Sequence, residues 1–194
     1  MTSNRFSHTT YLIRKRVLAL AGGKFEIFDP SGNVVLFSKM KAFKLKEDIR
    51  LYTGEDMTTE LISIQARSIL DFSAAYDVID SETGRKIGAL RRKGLKSMFR
   101  DEWVILDVYD NEIGLIQEEN AFLAFVRRFL SNLIPQSFNV QLGGVQVAEF
   151  KQNFNPFVTK LTLDFSYDTQ HRLDRRLGIA AGILLCAIEG KQEG

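Results

Sequence analysis

Along most of this chain apolar and polar positions alternate in short runs, each closed by a turn. Phe25-Glu26-Ile27-Phe28 leads into Asp29-Pro30-Ser31-Gly32-Asn33, and Val34-Val35-Leu36-Phe37 follows. Tyr76-Asp77-Val78-Ile79 leads into Asp80-Ser81-Glu82-Thr83-Gly84 and a strand over 86–90. Residues 103–109 lead into Asp110-Asn111-Glu112 and then Ile113-Gly114-Leu115-Ile116, while Phe138-Asn139-Val140-Gln141-Leu142 turns at Gly143-Gly144 into Val145-Gln146-Val147-Ala148. An apolar run, an Asp- or Gly-rich turn and a second apolar run predict a β-hairpin. Further strands are expected over 11–20, 43–51, 61–67 and 157–165. In the last of these Phe157, Thr159, Leu161, Leu163 and Phe165 share one face. The total is about a dozen strands, more than one open sheet usually holds, so a closed antiparallel barrel is expected. The hairpins recur at irregular spacing, which excludes a solenoid or propeller period.

Two segments break the β pattern. Leu177-Gly178-Ile179-Ala180-Ala181-Gly182-Ile183-Leu184-Leu185-Cys186-Ala187-Ile188 is twelve residues without a charge. As a helix it is apolar all round and has to be buried on every side. Its length of about 18 Å falls short of the roughly 30 Å hydrocarbon core of a bilayer. Asp174, Arg175 and Arg176 precede it and Glu189 and Lys191 follow, so extending it would bury charge. The expected solution is a helix over 174–188 running through the inside of the barrel, with Gly178, Gly182 and the alanines keeping it slim. Phe122, Phe125, Val126, Phe129, Leu130 and Leu133 recur at three- and four-residue spacing, with Arg127, Arg128, Ser131 and Asn132 opposite. This predicts an amphipathic helix over 120–133, capped by Asn120 and stopped by Pro135.

At 194 residues with 45% apolar content the chain suits one domain with its own core. Residues 1–9 and 190–194 are expected to be loose. A formal charge of +2 is nearly balanced, so any electrostatic function has to come from local clustering. One cysteine makes no internal disulfide and favours a reducing, cytoplasmic setting. The apolar stretch Val17-Leu18-Ala19-Leu20-Ala21, behind Arg14, Lys15 and Arg16, is too short for a signal-peptide core.

Hairpins, a late amphipathic helix and a final hydrophobic helix come in a specific order. The quoted Phe25–Asn33 stretch, Gly88-Ala89-Leu90-Arg91-Arg92-Lys93 running on to Trp103, and the terminal helix give this order its particular residues. From about Tyr11 onward the chain resembles the tubby C-terminal-like superfamily, and within it the LURP-one-related proteins and the phospholipid scramblases. The resemblance implies a closed barrel of about twelve strands around a central hydrophobic helix. Through tubby it implies a basic surface for phosphoinositide headgroups, and through the scramblases membrane association, calcium and lipid movement. The chain departs from the scramblases: it lacks a proline-rich N-terminal extension and a cysteine cluster. Of an acidic calcium segment only Asp164, Asp168 and Asp174 remain, so no metal site carries over.

For binding chemistry, Arg91, Arg92, Lys93, Lys96 and Arg100 form a run with no acid, interleaved with Leu95, Met98 and Phe99. Clustered cations beside apolar side chains suit an anionic membrane surface. A solvated hairpin with Leu95 and Phe99 packed into the barrel accounts for the same run. Lys39, Lys41, Lys44 and Lys46 are equally well explained as strand-edge protection. Arg127 and Arg128 are few for a lipid-binding helix face, which more commonly packs on its own barrel. His8, His171 and Cys186 lack partners at metal or nucleophile spacing, and no GxxxxGK[ST], GxSxG, HExxH or CxxC occurs. The expectation is a non-enzymatic module without cofactor or metal. It would bind an anionic phospholipid headgroup or membrane surface through Arg91, Arg92, Lys93, Lys96 and Arg100. A protein-interaction scaffold is the alternative, and no nucleic-acid partner is expected.

Overall fold

The computed structural model describes residues 3–18, 22–40, 48–68, 75–93, 102–119, 136–153 and 158–189. Among these the chain forms β1 (Thr10–Leu18), β2 (Gly22–Phe28), β3 (Val34–Met40), β4 (Ile49–Tyr52), β5 (Glu60–Ala66) and β6 (Ala75–Asp80). They are followed by β7 (Lys86–Arg92), β8 (Glu102–Leu106), β9 (Glu112–Glu118), β10 (Ser137–Leu142), β11 (Val145–Asn153), β12 (Thr159–Asp164) and α1 (Arg175–Glu189). Each strand pairs antiparallel with the next, and β1 pairs with β12 from Thr10↔Asp164 to Lys15↔Thr159, closing the barrel. The expected amphipathic helix over 120–133 lies outside the described residues.

Antiparallel order sends alternate connections to opposite ends. At the near end, where α1 begins, lie the tight hairpin turns. Asp29, Asp80 and Asp107 each fold one of them by accepting backbone N–H groups with a carboxylate oxygen: Asn33 at 2.8 Å, Thr83 at 2.9 Å and Tyr109 at 2.8 Å. This is why β8 stops at Leu106 and not at Tyr109 as the hydrophobic run predicts. Gly143 and Gly144 supply the two positive φ angles, 56° and 80°, of a two-residue turn. All five hairpins shift register beside their near-end turns, at Ile27/Phe28, Leu51/Tyr52, Val78/Ile79, Ile105/Leu106 and Val140/Gln141. Such bulges sharpen the local twist, which helps a long sheet curl closed.

Strand alternation sorts the side chains. Tyr11 and Ile13, Phe25 and Ile27, Ile62 and Ile64, Trp103 and Ile105, Phe138 and Val140, and Leu161 and Leu163 all face inward and are buried. A smaller buried cluster, Ala75, Ala89, Val104 and Leu106, has the opposite parity and lies on the outer wall, with Leu115 packed against it. At the near end the polar residues before β1 are also tied down. Arg5 donates to the carbonyls of Val35 (2.7 Å) and Thr53 (3.1 Å), and the Tyr11 hydroxyl donates to Arg5 O (3.1 Å). Burial pushes that hydroxyl up to about 12, against the backbone N–H of His8 and the charge of Arg175, so it stays a neutral donor at ordinary pH.

α1 fills the barrel, and its residues 177–187 are buried on every side. A Cβ added at Gly178 would lie 2.5 Å from the Phe165 ring, and one at Gly182 only 2.3 Å from Ile13 Cδ1 and 3.0 Å from Phe150. Glycine costs a helix about 1 kcal/mol against alanine, so these two are kept for clearance. Both helix ends find partners within the protein. Asp174 accepts from Arg176 N (2.9 Å) as the N-cap, and buried Lys15 donates from Nζ to Cys186 O (2.7 Å) near the C-terminus. Gly182→Leu should therefore overpack the barrel by at least about 3 kcal/mol, lowering Tm by roughly 6–12 °C. Thermal unfolding checks this, and a variant melting like wild type would refute the tight fit.

Candidate functional site

β7 carries Arg91 and Arg92 to the far end of the barrel, where α1 finishes, and Lys93 follows directly. Leu90 is buried in the core and Arg92 has the same parity, opposite Trp103, so Arg92 enters on the interior side. Arg91 and Lys93 point outward. The Arg91 guanidinium is paired with Glu112 and the Lys93 ammonium with Glu102, while Lys93 N donates to Glu102 O (2.9 Å). Lys96 and Arg100 lie outside the described residues. The run is thus divided between two faces of the wall. Near Arg92, the rings of Tyr76 and Trp103 are 6.1 Å apart. Burial raises the Tyr76 hydroxyl above its usual range, with Arg92 opposing.

Elsewhere the outer wall balances charge locally. Arg67 and Lys86 share Asp77 and Asp110, with Arg67 Nη2 2.7 Å and Lys86 Nζ 3.3 Å from Asp77. Both carboxyls are held below the usual carboxylate range. At Asp77 burial works against that lowering, and the bonds from Arg67 and Lys86 overcome it; at Asp110 the bonds from Lys86 and Arg67 dominate.

The near end holds an open pocket of about 390 Å³ lined by Phe6, Leu61, Asp80, Glu82, His171, Leu173, Asp174, Arg175 and Arg176. Its polar groups largely satisfy one another. Asp168 accepts from Arg172 N (2.8 Å), Leu173 N (3.0 Å) and Arg175 Nη1 (2.8 Å), and Arg175 lies 4.2 Å over the Phe165 ring. Arg176 spans Asp80 (2.5 Å) and Asp174 (2.6 Å), and Arg175 Nη2 is 3.2 Å from His171 Nδ1. Asp168 and Asp174 thus hold the start of α1. Among the described residues no group of three or more His, Cys, Asp or Glu could hold a metal ion, and no helix is long and apolar enough to cross a membrane. Cys186 is buried in α1.

This architecture can be set beside known proteins. The family model described as LURP-one-related matches residues 9–186, from just before β1 to within three residues of the end of α1. The chain belongs to the LURP-one-related family. The X-ray structure of a protein from Arabidopsis thaliana is similar in fold, with a TM-score of 0.50 and 11% identity over 96% of this chain and 95% of that one. No curated protein matches the sequence. The LURP-one-related match takes in the whole Asp168–Arg175 lock and the barrel it closes, so the tubby-like barrel around a central helix is this chain's architecture.

The lock makes the LURP-one-related barrel acid-sensitive. Burial raises the Asp168 carboxyl, but the N–H groups of Leu173 and Arg172 and the Arg175 guanidinium outweigh it and hold it below the usual range. A depressed carboxylate stabilises the fold above its unfolded value near 3.9 and ceases to as pH falls through its folded value. Asp168→Asn, which leaves Arg175 buried beside a neutral amide, should cost about 3 kcal/mol at pH 7. In denaturant titrations the gap to wild type should close below about pH 4; a gap independent of pH would contradict the ionic account.

Proposed function

We propose that this barrel is a non-enzymatic, cytoplasmic module that binds an anionic phospholipid headgroup or membrane surface peripherally. Contact would be made at the far end, through Arg91, Arg92 and Lys93 and, further along the chain, Lys96 and Arg100. The observation that carries the reading is the pairing of Arg91 and Lys93. Their side chains are 39% and 46% exposed, and each is held by one carboxylate, the exposed Glu112 for Arg91 and the largely covered Glu102 for Lys93. Exposed pairs are worth about 0–1 kcal/mol, whereas a cation near an anionic surface gains about 1 kcal/mol. Exchange at Arg91 is therefore close to neutral. At about 1 kcal/mol for each cation that reaches the surface, a few of them together give a dissociation constant of about a millimolar. Such binding is reversible and fades with salt.

The near end supports a different partner. Its connections carry Asp29, Glu55, Asp56, Glu82, Asp107, Asp110, Asp168 and Asp174 against Arg85 and Arg172, and even with Arg5, Arg175 and Arg176 at the same end carboxylates predominate, which disfavours an anionic surface. There Tyr109 is 82% exposed, Val145 54% and Tyr167 48%. Gly143 N donates to Ile113 O (3.1 Å), fastening the tip that carries Val145 to the start of β9. These apolar tips favour a protein-interaction scaffold as the second reading, with a contact that salt weakens little.

Flotation with neutral and anionic liposomes separates the two. The protein should float only with anionic vesicles at low ionic strength and be released at physiological salt. The combined variant Arg91→Glu, Lys93→Glu, Lys96→Glu should not float while melting normally. Absence of wild-type binding at low salt would remove the membrane reading. Undiminished binding of the variant would move the contact elsewhere.

A further inference from the structure

The wall of the barrel is not equally strong all the way round. Among the described residues, β3 and β4 share the single pair Phe37↔Tyr52. Every other pair of neighbouring strands has at least four residue pairs in register. Beyond Phe37 and Tyr52, no pairing links Ser38, Lys39 and Met40 of β3 to Ile49, Arg50 and Leu51 of β4. Yet each of the six is paired on its other side, the first three with β2 and the last three with β5. Ladder hydrogen bonds and cross-strand side-chain pairs give a sheet its cohesion, so this seam is the weakest line in the wall. Ser38 stands beside it, facing inward and fully buried, and its Oγ has no hydrogen-bond partner. A buried hydroxyl left unpaired costs free energy that water would return, so opening the seam relieves a penalty.

Side chains hold this seam where the ladder does not. Continued towards the near end, the register would set Leu36 against Thr53 and Val35 against Gly54, and neither pair forms. There Arg5, on the 3₁₀ turn Ser3–Phe6, donates from Nη1 to Val35 O at 2.7 Å and to Thr53 O at 3.1 Å. One guanidinium thus joins a carbonyl from each side of the seam. The turn that carries it is fixed by the Tyr11 hydroxyl on Arg5 O and by Phe6, which packs against the core. On the outer wall Glu55, beyond β4, reaches across β3 to pair with Lys24 on β2. Lys24 Nζ lies 5.7 Å from the ring centroid of Phe37, which is buried although its parity turns it outward.

We propose that the barrel opens along the β3–β4 seam and that Arg5 is the clasp that governs the opening. When β3 and β4 part beyond Phe37 and Tyr52, Ser38 and the adjoining Leu51 meet water while the rest of the wall stays paired. The clasp lies ahead of β1 and belongs to no ladder, so it lets go without unpairing a strand. Whatever holds the Ser3–Phe6 turn in place keeps the seam shut, and whatever draws the turn away frees it. The turn is therefore a control point for the interior. It is independent of the anion contact at β7, which stands four places from β3 round the ring.

The test is thiol labelling of the full chain under native conditions, with Cys186→Ala removing the native thiol and rates normalised to the unfolded chain. Ser38→Cys places the reporter at the seam. Val78→Cys places an equally buried one on β6, which is paired along both sides. Ser38→Cys should label at least about tenfold faster than Val78→Cys. Adding Arg5→Ala should speed labelling at Ser38→Cys about tenfold further, through loss of two hydrogen bonds from a charged donor. It should leave Val78→Cys unchanged. Glu55→Gln, which releases the outer strap, should speed Ser38→Cys by about two- to threefold and serves where Arg5→Ala folds poorly. Melting curves show whether each variant is folded. Equal labelling at the two sites, equal acceleration of both by Arg5→Ala, or no acceleration at Ser38→Cys in the folded variants would each overturn the proposal.

Discussion

A helix without a polar face has to be surrounded, and a surrounded helix cannot leave its end groups to water. Most of what is specific about this barrel follows from that pair of demands. Twelve strands supply enough circumference to enclose α1. The glycines at 178 and 182 bring it close to Phe165, Ile13 and Phe150. An unpartnered buried polar group costs about 1–3 kcal/mol, so the helix ends need partners from inside the protein. Asp174 and Asp168 provide them at the start, and Lys15 brings an ammonium through the wall to the Cys186 carbonyl near the finish. Among the described residues, Ser38 Oγ and Trp103 Nε1 are buried with no hydrogen-bond partner.

A filled interior pushes recognition to the surface, and the surface is divided. Turn chemistry draws aspartates to the near end, where their oxygens fold the hairpin tips and hold the start of α1. Cations collect instead on the strand faces, Arg16, Lys24 and Lys39 on one wall and Arg91 and Lys93 on the opposite one. The result is a barrel whose carboxylates gather at the near end while these cations stand on its walls.

Much of the fold was legible because it depends on local pattern. A charge-free run of twelve residues can only be an enclosed helix here, and Asp-rich turns between apolar runs mark hairpins. What sequence does not show is register. Arg16, Lys24 and Lys39 are scattered over three strands, and only the pairing brings them side by side. Parity was available for two other residues. Lys15 follows Tyr11 and Ile13 at two-residue spacing, as Arg92 follows Leu90, and that alternation alone puts both on the interior side. Read simply as members of basic clusters, they look like surface cations. Asp168 was visible as a carboxylate before the last helix, but its hold on Arg175 depends on the left-handed backbone at His171, φ 53°, which no spacing rule predicts.

The order of elements along the chain also sets a schedule. α1 follows β12, so a ribosome completes every strand before it makes the segment that fills their interior. Until then the growing polypeptide has a lining of Phe, Ile and Leu with nothing to close around, and β1 waits for β12 across almost the whole length of the domain. Contacts so distant in sequence form slowly, and unpaired strands are open to wrong partners in the interval. The birth of this protein is therefore its most exposed moment, and cells that make it have reason to shield the unfinished barrel until its last helix arrives.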